Sequence, residues 1–396
     1  MEVIMGIRYL SSGESHGPEL TAIIEGFPSN VEMNLEKINY QLARRQKGHG
    51  RGGRMLIEKD QAQVVAGIRF AKTTGAPICI KVTNDDWVNW EKKMAHFDIN
   101  NDQISPVSKP RPGHADLSGG IKYQQRDLRN ILERASARET TIRVATGAVC
   151  RQLLEIFGIE IYSHVLQIGE ISVEKPIRPF DIDTPDKWAD VVEESPVRCY
   201  DSDTAMKMMN EIDTIKKQGD SVGGIVEIIV TGMPIGIGSY AHWERKLDSR
   251  LAAIVMSVQA MKGVEFGIGF QAGYKPGSLV HDEIYYTKGD GFYRNTNNAG
   301  GIEGGISNGE PIIIRAAMKP IPTLYKPLQS VDIETKQAFA ASIERSDACA
   351  VPAAAVVIEN AIAIELANAM VEKFSGDSIE EMTRNWNSYN DLVQNY

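Results

Sequence analysis

Residues 352–374 read PAAAVVIENAIAIELANAMVEKF, an apolar stretch long enough to raise the question of a membrane span. A spanning helix needs about 20 consecutive, predominantly apolar residues, whereas Glu359 and Glu365 interrupt this run. We therefore predict a long helix in the core of a globular protein. Pro352 suits the first turn of that helix, where its missing backbone N–H costs no hydrogen bond.

The composition is that of a soluble globular protein and excludes several classes. The 396 residues are 42% apolar and 24% charged, and 43 Lys and Arg against 52 Asp and Glu give a net charge of −9. Net acidity disfavours a general nucleic-acid binder. The opening MEVIMGIRYL is interrupted too early, by Arg8, for a secretory signal. The four cysteines form no CxxC pair, which argues against zinc sites and disulfides and predicts buried thiols in a reducing cytosol.

The patterning on either side of the apolar stretch predicts a mixed α+β fold. Residues 117–158 and 246–261 have helical periodicity, with Gly147 marking a break or a close packing point and Gly158 the end of the first stretch. The predicted strands do not alternate regularly with helices, so antiparallel sheets are favoured over a doubly wound parallel sheet. Residues 170–220 are acidic and punctuated by proline, and we predict a peripheral excursion there. The predicted strands cover residues 22–24, 78–82, 225–230, 264–270, 284–287 and 312–316.

Four loops are crowded with Gly, Arg, His, Ser and Asn, which predicts one composite binding site. They are GESHG (13–17), RRQKGHGRGGR (44–54), RPGHADLSGG (111–120) and NNAGGIEGGISNGEP (297–311). Arginine grips carboxylate and phosphate in a bidentate fork, and glycine lets backbone N–H groups approach an anion. The third loop leads into a helix predicted to begin near Gly119, and a helix N-terminus also favours anions. The loops therefore predict a small polyanionic ligand.

Two familiar motifs within these loops do not fit their usual structural context. GESHG satisfies the G-x-S-x-G pattern of hydrolases at Ser15, but that serine must crown a sheet that the 14 preceding residues cannot form. Gly48, Gly50 and Gly53 satisfy G-x-G-x-x-G, but they follow a polar segment that is predicted to be helical and not a strand. The single arginine-glycine run also resembles RNA-binding segments, which are normally repeated and interleaved with aromatics.

The titratable residues in the loops suggest acid–base chemistry. His16 and His114 lie in anion-type loops, and histidine is suited to general acid catalysis near neutral pH. The remaining histidines show no spacing typical of metal ligands. Asp347 precedes the apolar helix, where it could serve as a helix N-cap. Lys319 and Thr323 are held in a segment made rigid by two prolines.

Taken together, nine segments of the sequence resemble the chorismate synthase family. They occur in the family's order and cover nearly the full chain. They are RYLSSGESHGPEL, RRQKGHGRGGRM, RPGHADLSGGIKY, RNILERASARETT, GSYAHWERKLD, KGVEFGIGF, NNAGGIEGGISNGEPI, MKPIPT and ERSDACAVPAA.

The resemblance implies a lyase of the shikimate pathway, in aromatic amino acid biosynthesis. Family members convert 5-enolpyruvylshikimate-3-phosphate into chorismate by 1,4-anti elimination of phosphate. They require reduced FMN although the reaction has no net redox change. The implied fold is a β-α-β sandwich with antiparallel sheets packed around helices, as a single domain over residues 1–396. A cytoplasmic homotetramer without bound metal is expected.

The resemblance also assigns roles to individual residues. His16 matches the histidine thought to protonate the leaving phosphate, and His114 matches the one thought to protonate the reduced flavin or hold it in its working state. Asp347 matches the carboxylate near flavin N5 that would relay the lost ring proton. The implied substrate- and phosphate-binding residues are Ser15, Arg45, Arg51, Arg54, Arg111 and Arg345. The implied flavin-binding residues are Arg134, Ala135, Ser136, Gln259, Ala260, Gly304, Lys319, Pro320, Ile321, Pro322, Thr323 and Arg345.

Two features depart from the family pattern. Residues 1–5 precede the usual start, as an extension or as residues upstream of an alternative start at Met5, and His49 stands where the family has tyrosine.

The sequence has no extra domain for flavin reduction, so we expect an external supply of reduced FMN, from a flavin reductase or an NADPH-derived reductant. The alternative function is a non-catalytic anion- or RNA-binding module built on residues 44–54.

Overall fold

Two antiparallel sheets enclose a layer of helices in the computed structural model. It describes residues 6–52, 59–97, 104–289, 291–326, 328–341 and 347–396. The strands are β1 (Arg8–Ser12), β2 (Glu19–Glu25), β3 (Ala62–Ala66), β4 (Ile68–Arg69), β5 (Lys72–Thr73), β6 (Ile78–Thr83), β7 (Glu160–Ile168), β8 (Ile171–Ser172), β9 (Gly224–Thr231), β10 (Met261–Phe266), β11 (Ile284–Thr287), β12 (Gly291–Arg294), β13 (Ile302–Glu303), β14 (Ile306–Ser307), β15 (Ile312–Met318), β16 (Gln329–Val331) and β17 (Ala338–Ala340). The helices are α1 (Leu35–Gln46), α2 (Trp87–Trp90), α3 (Asp116–Tyr123), α4 (Arg129–Ala135), α5 (Thr140–Ile156), α6 (Pro185–Glu194), α7 (Ser202–Lys217), α8 (Leu247–Met256), α9 (Val351–Phe374) and α10 (Ile379–Gln394).

The layers are arranged as sheet, helices, sheet. The first sheet has the strand order β1-β2-β6-β3 and the second β10-β15-β9-β7-β8, and neighbouring strands in both are antiparallel. Helix α5 packs on β2 and β6 of the first sheet, α9 packs on β7 and β9 of the second, and the two helices pack on each other. The predicted β-α-β sandwich is confirmed.

Close contact between α5 and α9 depends on a glycine. A Cβ atom at Gly147 would collide with the backbone of Asn360, so only glycine lets the two helix axes approach this closely. Of the two interpretations of Gly147, the close packing point is correct, because α5 runs through this position to Ile156. Gly158, at a φ of 71°, follows directly on the end of the helix, as predicted.

Helix α9 is the central helix of the core, as predicted from its sequence. It is the one helix among the described residues that is long and apolar enough to cross a membrane, and 83% of its most apolar window is buried inside the protein. Pro352 lies in its first turn. The thiols of Cys150, Cys199 and Cys349 are free and buried, which agrees with the prediction for these three cysteines.

A network of buried charges, which we call the Glu359 cluster, joins four parts of the chain. Glu359 is fully buried on α9 and accepts hydrogen bonds from Arg44 of α1 at 2.6 and 3.0 Å. Arg151 of α5 donates to it at 3.1 Å, and Arg198 lies 3.5 Å from it. Glu193 pairs with Arg44 at 2.5 Å and with Arg198 at 2.6 Å. The cluster therefore ties α1, α5 and α9 to the region around residue 195.

The prediction of a peripheral excursion over residues 170–220 is wrong. Helices α6 and α7 bury Trp188, Met208 and Ile212, and the same region supplies Glu193 and Arg198 to the Glu359 cluster. Prolines and acidic residues dominate the sequence of this segment, but its apolar residues recur at helical spacing and cover the second sheet. Residues 170–220 are therefore an integral part of the core.

Three predicted elements have different bounds. The helix predicted over 246–261 ends at Met256, because the chain must turn before β10 begins at Met261. The strand predicted over 264–270 ends at Phe266, since Gly267 and Gly269 adopt positive φ angles of 57° and 53°. The helical stretch 117–158 is interrupted after Tyr123, where Gln124 adopts a left-handed conformation at a φ of 54°. The other predicted strands lie within observed ones.

We expect stability to fall steeply below about pH 4.5, because the Glu359 cluster needs ionised carboxylates. Burial alone would raise the pKa of Glu193, but Arg198 and Arg44 hold it at about 2, below its ordinary value of 4.5. A lowered carboxyl pKa stabilises the fold above the unfolded pKa, and this contribution is lost as pH falls toward the folded pKa. Thermal melts between about pH 6 and 3 measure the effect. Glu193→Gln should melt lower at neutral pH and show a shallower acid slope, and an unchanged slope would contradict the assignment.

Candidate active site

The first predicted catalytic histidine lies in the turn between β1 and β2. Nδ1 of His16 is 2.9 Å from a carboxylate oxygen of Glu133, and the backbone N–H of His16 donates to the same carboxylate at 2.9 Å. The backbone N–H of Ser15 donates to the carbonyl of Glu133 at 3.0 Å. Since this turn joins two antiparallel strands and does not lead into a helix, Ser15 is not at a nucleophile elbow, as the sequence predicted.

The surroundings of His16 fix its ring on two sides. The indole of Trp90 stacks on the imidazole with 3.8 Å between ring centroids and 22° between planes. The Glu133 carboxylate is nearly inaccessible, at 1% exposure, and also pairs with Arg129 at 3.3 Å. Burial opposes its ionisation, but the hydrogen bonds from His16 and the charge of Arg129 bring the pKa of Glu133 below its ordinary value. The imidazole itself keeps 22% exposure, enough to meet a ligand.

The second predicted catalytic histidine is held in the same manner. His114 lies two residues before α3, which begins at Asp116 and not at Gly119 as predicted. Nδ1 of His114 is 2.5 Å from Oδ1 of Asp116, and Nε of Arg111 donates to Oδ2 at 2.9 Å. Burial opposes the ionisation of Asp116, yet the hydrogen bonds from His114 and Arg111 hold its pKa far below the usual range. Both histidines are thus held in the same way. A buried carboxylate contacts Nδ1 of the imidazole and also pairs with an arginine.

Asp347 joins the arginine-rich loop to the start of α9. Its Oδ1 accepts a hydrogen bond from the backbone N–H of Gly52 at 2.6 Å, and its Oδ2 lies 2.8 Å from Nη1 of Arg51. The helix N-cap is Ala350, so the capping role considered for Asp347 is not the one observed. Its contacts place the carboxylate beside the predicted phosphate-binding arginine.

Several of the predicted flavin-binding residues make hydrogen bonds to other segments of the candidate site. Arg134 donates to the carbonyl oxygens of Ser11 and Gly13 at 3.0 and 3.2 Å. The backbone N–H of Lys319 donates to the carbonyl of Ala260 at 3.0 Å, and its ammonium donates to the carbonyl of Gly113, next to His114. The segment carrying Pro320, Ile321, Pro322 and Thr323 therefore lies against the His114 loop.

The segment 133–140 is the place where the separate loops meet. His16 binds Glu133, as described above, and Gln259 donates to Glu139 at 3.2 Å. Arg45 donates to Thr140 at 3.0 Å and to the carbonyl of Ala137 at 3.3 Å. Ala135 and Ser136 lie within the same segment, and the Ser136 hydroxyl caps its short 3₁₀ helix. Residues that lie 95 to 120 positions away in sequence thus contact this one segment.

Arg45 is buried more deeply than an exposed anion-binding residue would be. Its guanidinium is 7% exposed and lies 3.3 Å from Asp60, which also pairs with Arg138 at 2.6 Å. Burial lowers the pKa of Arg45 to about 10, with Asp60 opposing the shift and Arg138 adding to it. Its role as an anion-binding residue stays a prediction.

The sequence also points to Gly304, Arg54, Arg345 and residues 1–5. Gly304 lies exposed in the turn between β13 and β14 at a φ of 59°, and its flavin contact stays a prediction. Arg54, Arg345 and residues 1–5 fall outside the described residues. Nowhere in the described ranges do three His, Cys, Asp or Glu side chains group as metal ligands would. His49, where the resemblance leads us to expect tyrosine, pairs with Asp213 at 2.8 Å.

The residues present fit a flavin mononucleotide. Oε1 of Gln259 is buried and makes no hydrogen bond to any described residue, so it offers an acceptor for a ring N–H. The guanidinium of Arg134 is exposed, and the ammonium of Lys319 is half-buried beside Lys262, whose charge adds to burial in lowering the pKa of Lys319. The two cations match the phosphate of FMN, and the oxygen of Gln259 that lacks a hydrogen bond matches a ring N–H.

Three residues of the site were not identified from sequence. Glu133, Asp116 and Trp90 hold the two histidines, but Glu133 is 117 residues from His16 and nothing local marks the pairing. Asp116 stands two residues after His114, a spacing that could have suggested it.

Comparison with known proteins shows the family to which the sequence is similar. The sequence model of the chorismate synthase family matches residues 7–371. A chorismate synthase of Geobacter metallireducens is 53% identical over 397 residues, covering 98% of this chain and all of that protein. A chorismate synthase of Bacillus subtilis strain 168 is 56% identical over 383 residues, covering 96% of this chain and 97% of that protein.

The fold agrees as well. A crystal structure of a chorismate synthase superimposes with a TM-score of 0.80 at 42% identity, covering 99% of this chain and 100% of the other. Since the family's sequence model spans all but the ends of the polypeptide, and its relatives match over nearly their whole length, the chain belongs to the chorismate synthase family.

Proposed function

We propose that this protein converts 5-enolpyruvylshikimate-3-phosphate into chorismate by 1,4-anti elimination of phosphate. The observation that carries the proposal is the convergence of the family's separate motifs on residues 133–140, with His16 on Glu133, Arg45 on Thr140 and Gln259 on Glu139. The substrate carries two carboxylates and a phosphate, and desolvating that charge requires fixed cations. Arg51 and Arg111 answer this requirement, each half-buried and oriented by a carboxylate.

The proposed cofactor is reduced FMN. When bound, it supplies electron density to the substrate as phosphate leaves and takes it back afterwards. Arg134 and Lys319 would hold its anionic part, and Gln259 would accept a hydrogen bond from its ring. Ser136 and Thr323 add hydroxyl groups on the same two segments. The reductant would come from a flavin reductase or from NADPH.

The chain's own residues move and hold protons in this proposal. His16 delivers a proton from Nε2 to the leaving phosphate, because Nδ1 is engaged by Glu133. His114 holds a proton beside the flavin, with Nδ1 engaged by Asp116. The Asp347 carboxylate receives the ring proton, and Arg51 together with the Gly52 N–H keeps it in place. Trp90 covers His16 and limits the access of water to it.

Arg51→Ala should weaken substrate binding by about 1.5–3 kcal/mol, the worth of a hydrogen bond to a charged group. Isothermal titration with the substrate measures the change. Lys47→Ala is the matched control, since Lys47 is an exposed cation of the same loop and should bind the substrate almost normally. An unchanged dissociation constant for Arg51→Ala would place this guanidinium outside the binding site.

We further propose a cytoplasmic homotetramer. The support is the family membership together with an exposed aromatic hairpin, β11–β12, on which Tyr285, Tyr286, Phe292 and Tyr293 are at least 36% exposed. Large exposed aromatic patches mark protein–protein interfaces. Sedimentation equilibrium measures the assembly, and a monomer at micromolar concentration would contradict it.

The RNA-binding alternative is not favoured. The net charge is −9. Of the arginines in residues 44–54, Arg44, Arg45 and Arg51 each pair with a carboxylate of the protein. Nucleic-acid contacts need arginines that reach phosphates in the solvent.

Genetic complementation tests the proposed function. The gene should restore growth without aromatic amino acids to a bacterium whose own chorismate synthase is deleted. The double variant His16→Ala/His114→Ala, expressed to the same level, should not. Failure of the soluble wild-type protein to restore growth would contradict the proposal.

A further inference from the structure

Glu133 is a buried carboxylate that has no role of its own in the proposed reaction but contacts His16. It lies on α4 with 1% exposure and contacts His16 three times, through two distances to Nδ1, at 2.9 and 3.0 Å, and a hydrogen bond of 2.9 Å from the backbone N–H. A carboxylate buried only to stabilise the fold needs charge compensation, which Arg129 supplies at 3.3 Å. The contacts with the imidazole come in addition to that compensation.

We propose that Glu133 is a positioning residue for His16, which fixes the ring so that Nε2 faces the ligand and carries the transferable proton. An imidazole that donates its Nδ1–H to a carboxylate has its lone pair on Nε2 when neutral and an Nε2–H when protonated. The same division of labour holds the histidine of serine hydrolases in its working tautomer. Glu133 does not contact the reacting atoms and acts only through His16.

The geometry disfavours a flip of the ring about its bond to Cβ. Trp90 stacks against one face at 3.8 Å, and the indole is itself anchored by a hydrogen bond of 2.9 Å from its Nε1 to Asp86. Flipping the imidazole would turn Nδ1 away from a buried anion and leave that anion less well compensated, which is costly. Burial alone would raise the pKa of Glu133, but the hydrogen bonds and charge of His16 together with the charge of Arg129 lower it, which agrees with a carboxylate that stays ionised.

The inference rests on the proposed function, so the wild-type protein is assayed first. Phosphate release from 5-enolpyruvylshikimate-3-phosphate with reduced FMN establishes the reaction, and its absence would end the proposed function, not this inference alone. Glu133→Gln, which keeps the shape but removes the charge, should then lower kcat by about 10- to 100-fold, with KM nearly unchanged. Glu365→Gln is the matched control, because Glu365 on α9 is a half-buried carboxylate that likewise pairs with an arginine, Arg250 at 2.5 Å.

A double-mutant cycle separates positioning from a merely structural role. If Glu133 acts only through His16, the variant His16→Ala/Glu133→Gln should have the activity of His16→Ala within about threefold. Losses that multiply would overturn the proposal, as would a Glu133→Gln enzyme with wild-type kcat.

A second measurement needs no variant at Glu133 and covers the case in which Glu133→Gln does not fold. The ¹⁵N spectrum of the wild-type enzyme, labelled in its histidine rings and assigned by the loss of a signal in His16→Asn, reports the tautomer directly. We expect the Nδ1–H form for neutral His16, and the Nε2–H form would overturn the proposal.

Discussion

His16→Ala and His114→Ala should each lower kcat by about 10²- to 10⁴-fold, the usual contribution of a general acid or base. Each imidazole is partly exposed, at 22% and 15%, while its Nδ1 is bound to a carboxylate that is almost fully buried. Folding should survive, because neither ring lies in the apolar core. Anaerobic turnover with reduced FMN measures the effect, together with circular dichroism spectra of both variants.

His242→Ala is the control for these two substitutions. His242 is 54% exposed near the short helix Trp243–Arg245, and its removal should leave turnover close to that of the wild type. Near-normal turnover in both His16→Ala and His114→Ala would refute the assigned roles.

Glu359→Ala should destabilise the protein by about 3–5 kcal/mol, the cost of removing one partner from a buried ion pair. The substitution leaves Arg44, Arg151 and Arg198 close together without their shared carboxylate. Repulsion among these three neighbouring guanidinium groups, of which those of Arg44 and Arg198 are buried, then adds to the lost hydrogen bonds. Urea unfolding at a fixed protein concentration measures the change, and Glu359→Gln should give a smaller loss of the same sign.

Glu372→Ala is the matched control on the same helix. Glu372 is 42% exposed and pairs with Arg250 at 2.6 Å, and an exposed ion pair contributes about 0–1 kcal/mol. Equal effects of Glu359→Ala and Glu372→Ala would show that the Glu359 cluster does not stabilise the core.

The fold could be predicted from sequence where a periodic apolar pattern coincides with burial. The 352–374 stretch is apolar over most of its length, and α9 is buried along most of its length, up to Val371 near its C-terminal end. The strands β9 and β15 were predicted from runs of apolar residues, and most residues of both strands are buried. The prediction for residues 170–220 was wrong, because it was based on their many prolines and acidic residues. The few apolar residues that enter the core, such as Trp188 and Met208, contribute little to the composition of the segment.

The candidate site could be predicted as a set of loops but not as a set of contacts. Glycine, arginine and histidine clusters predicted which loops would bind anions, and the family resemblance named His16, His114 and Asp347. The partners of these residues come from other parts of the chain, as Glu133 does for His16, 117 residues away. Such pairs are fixed by the packing of α4 on the β1–β2 turn, which no local pattern records.

The most direct test of the account is phosphate release from 5-enolpyruvylshikimate-3-phosphate under anaerobic conditions, with reduced FMN, with oxidised FMN and without flavin. We expect release only with reduced FMN, with one chorismate formed for each phosphate and the flavin still reduced at the end. Release without flavin, or no release under any of the three conditions from folded protein, would contradict the central claim that these loops form one flavin-dependent elimination site.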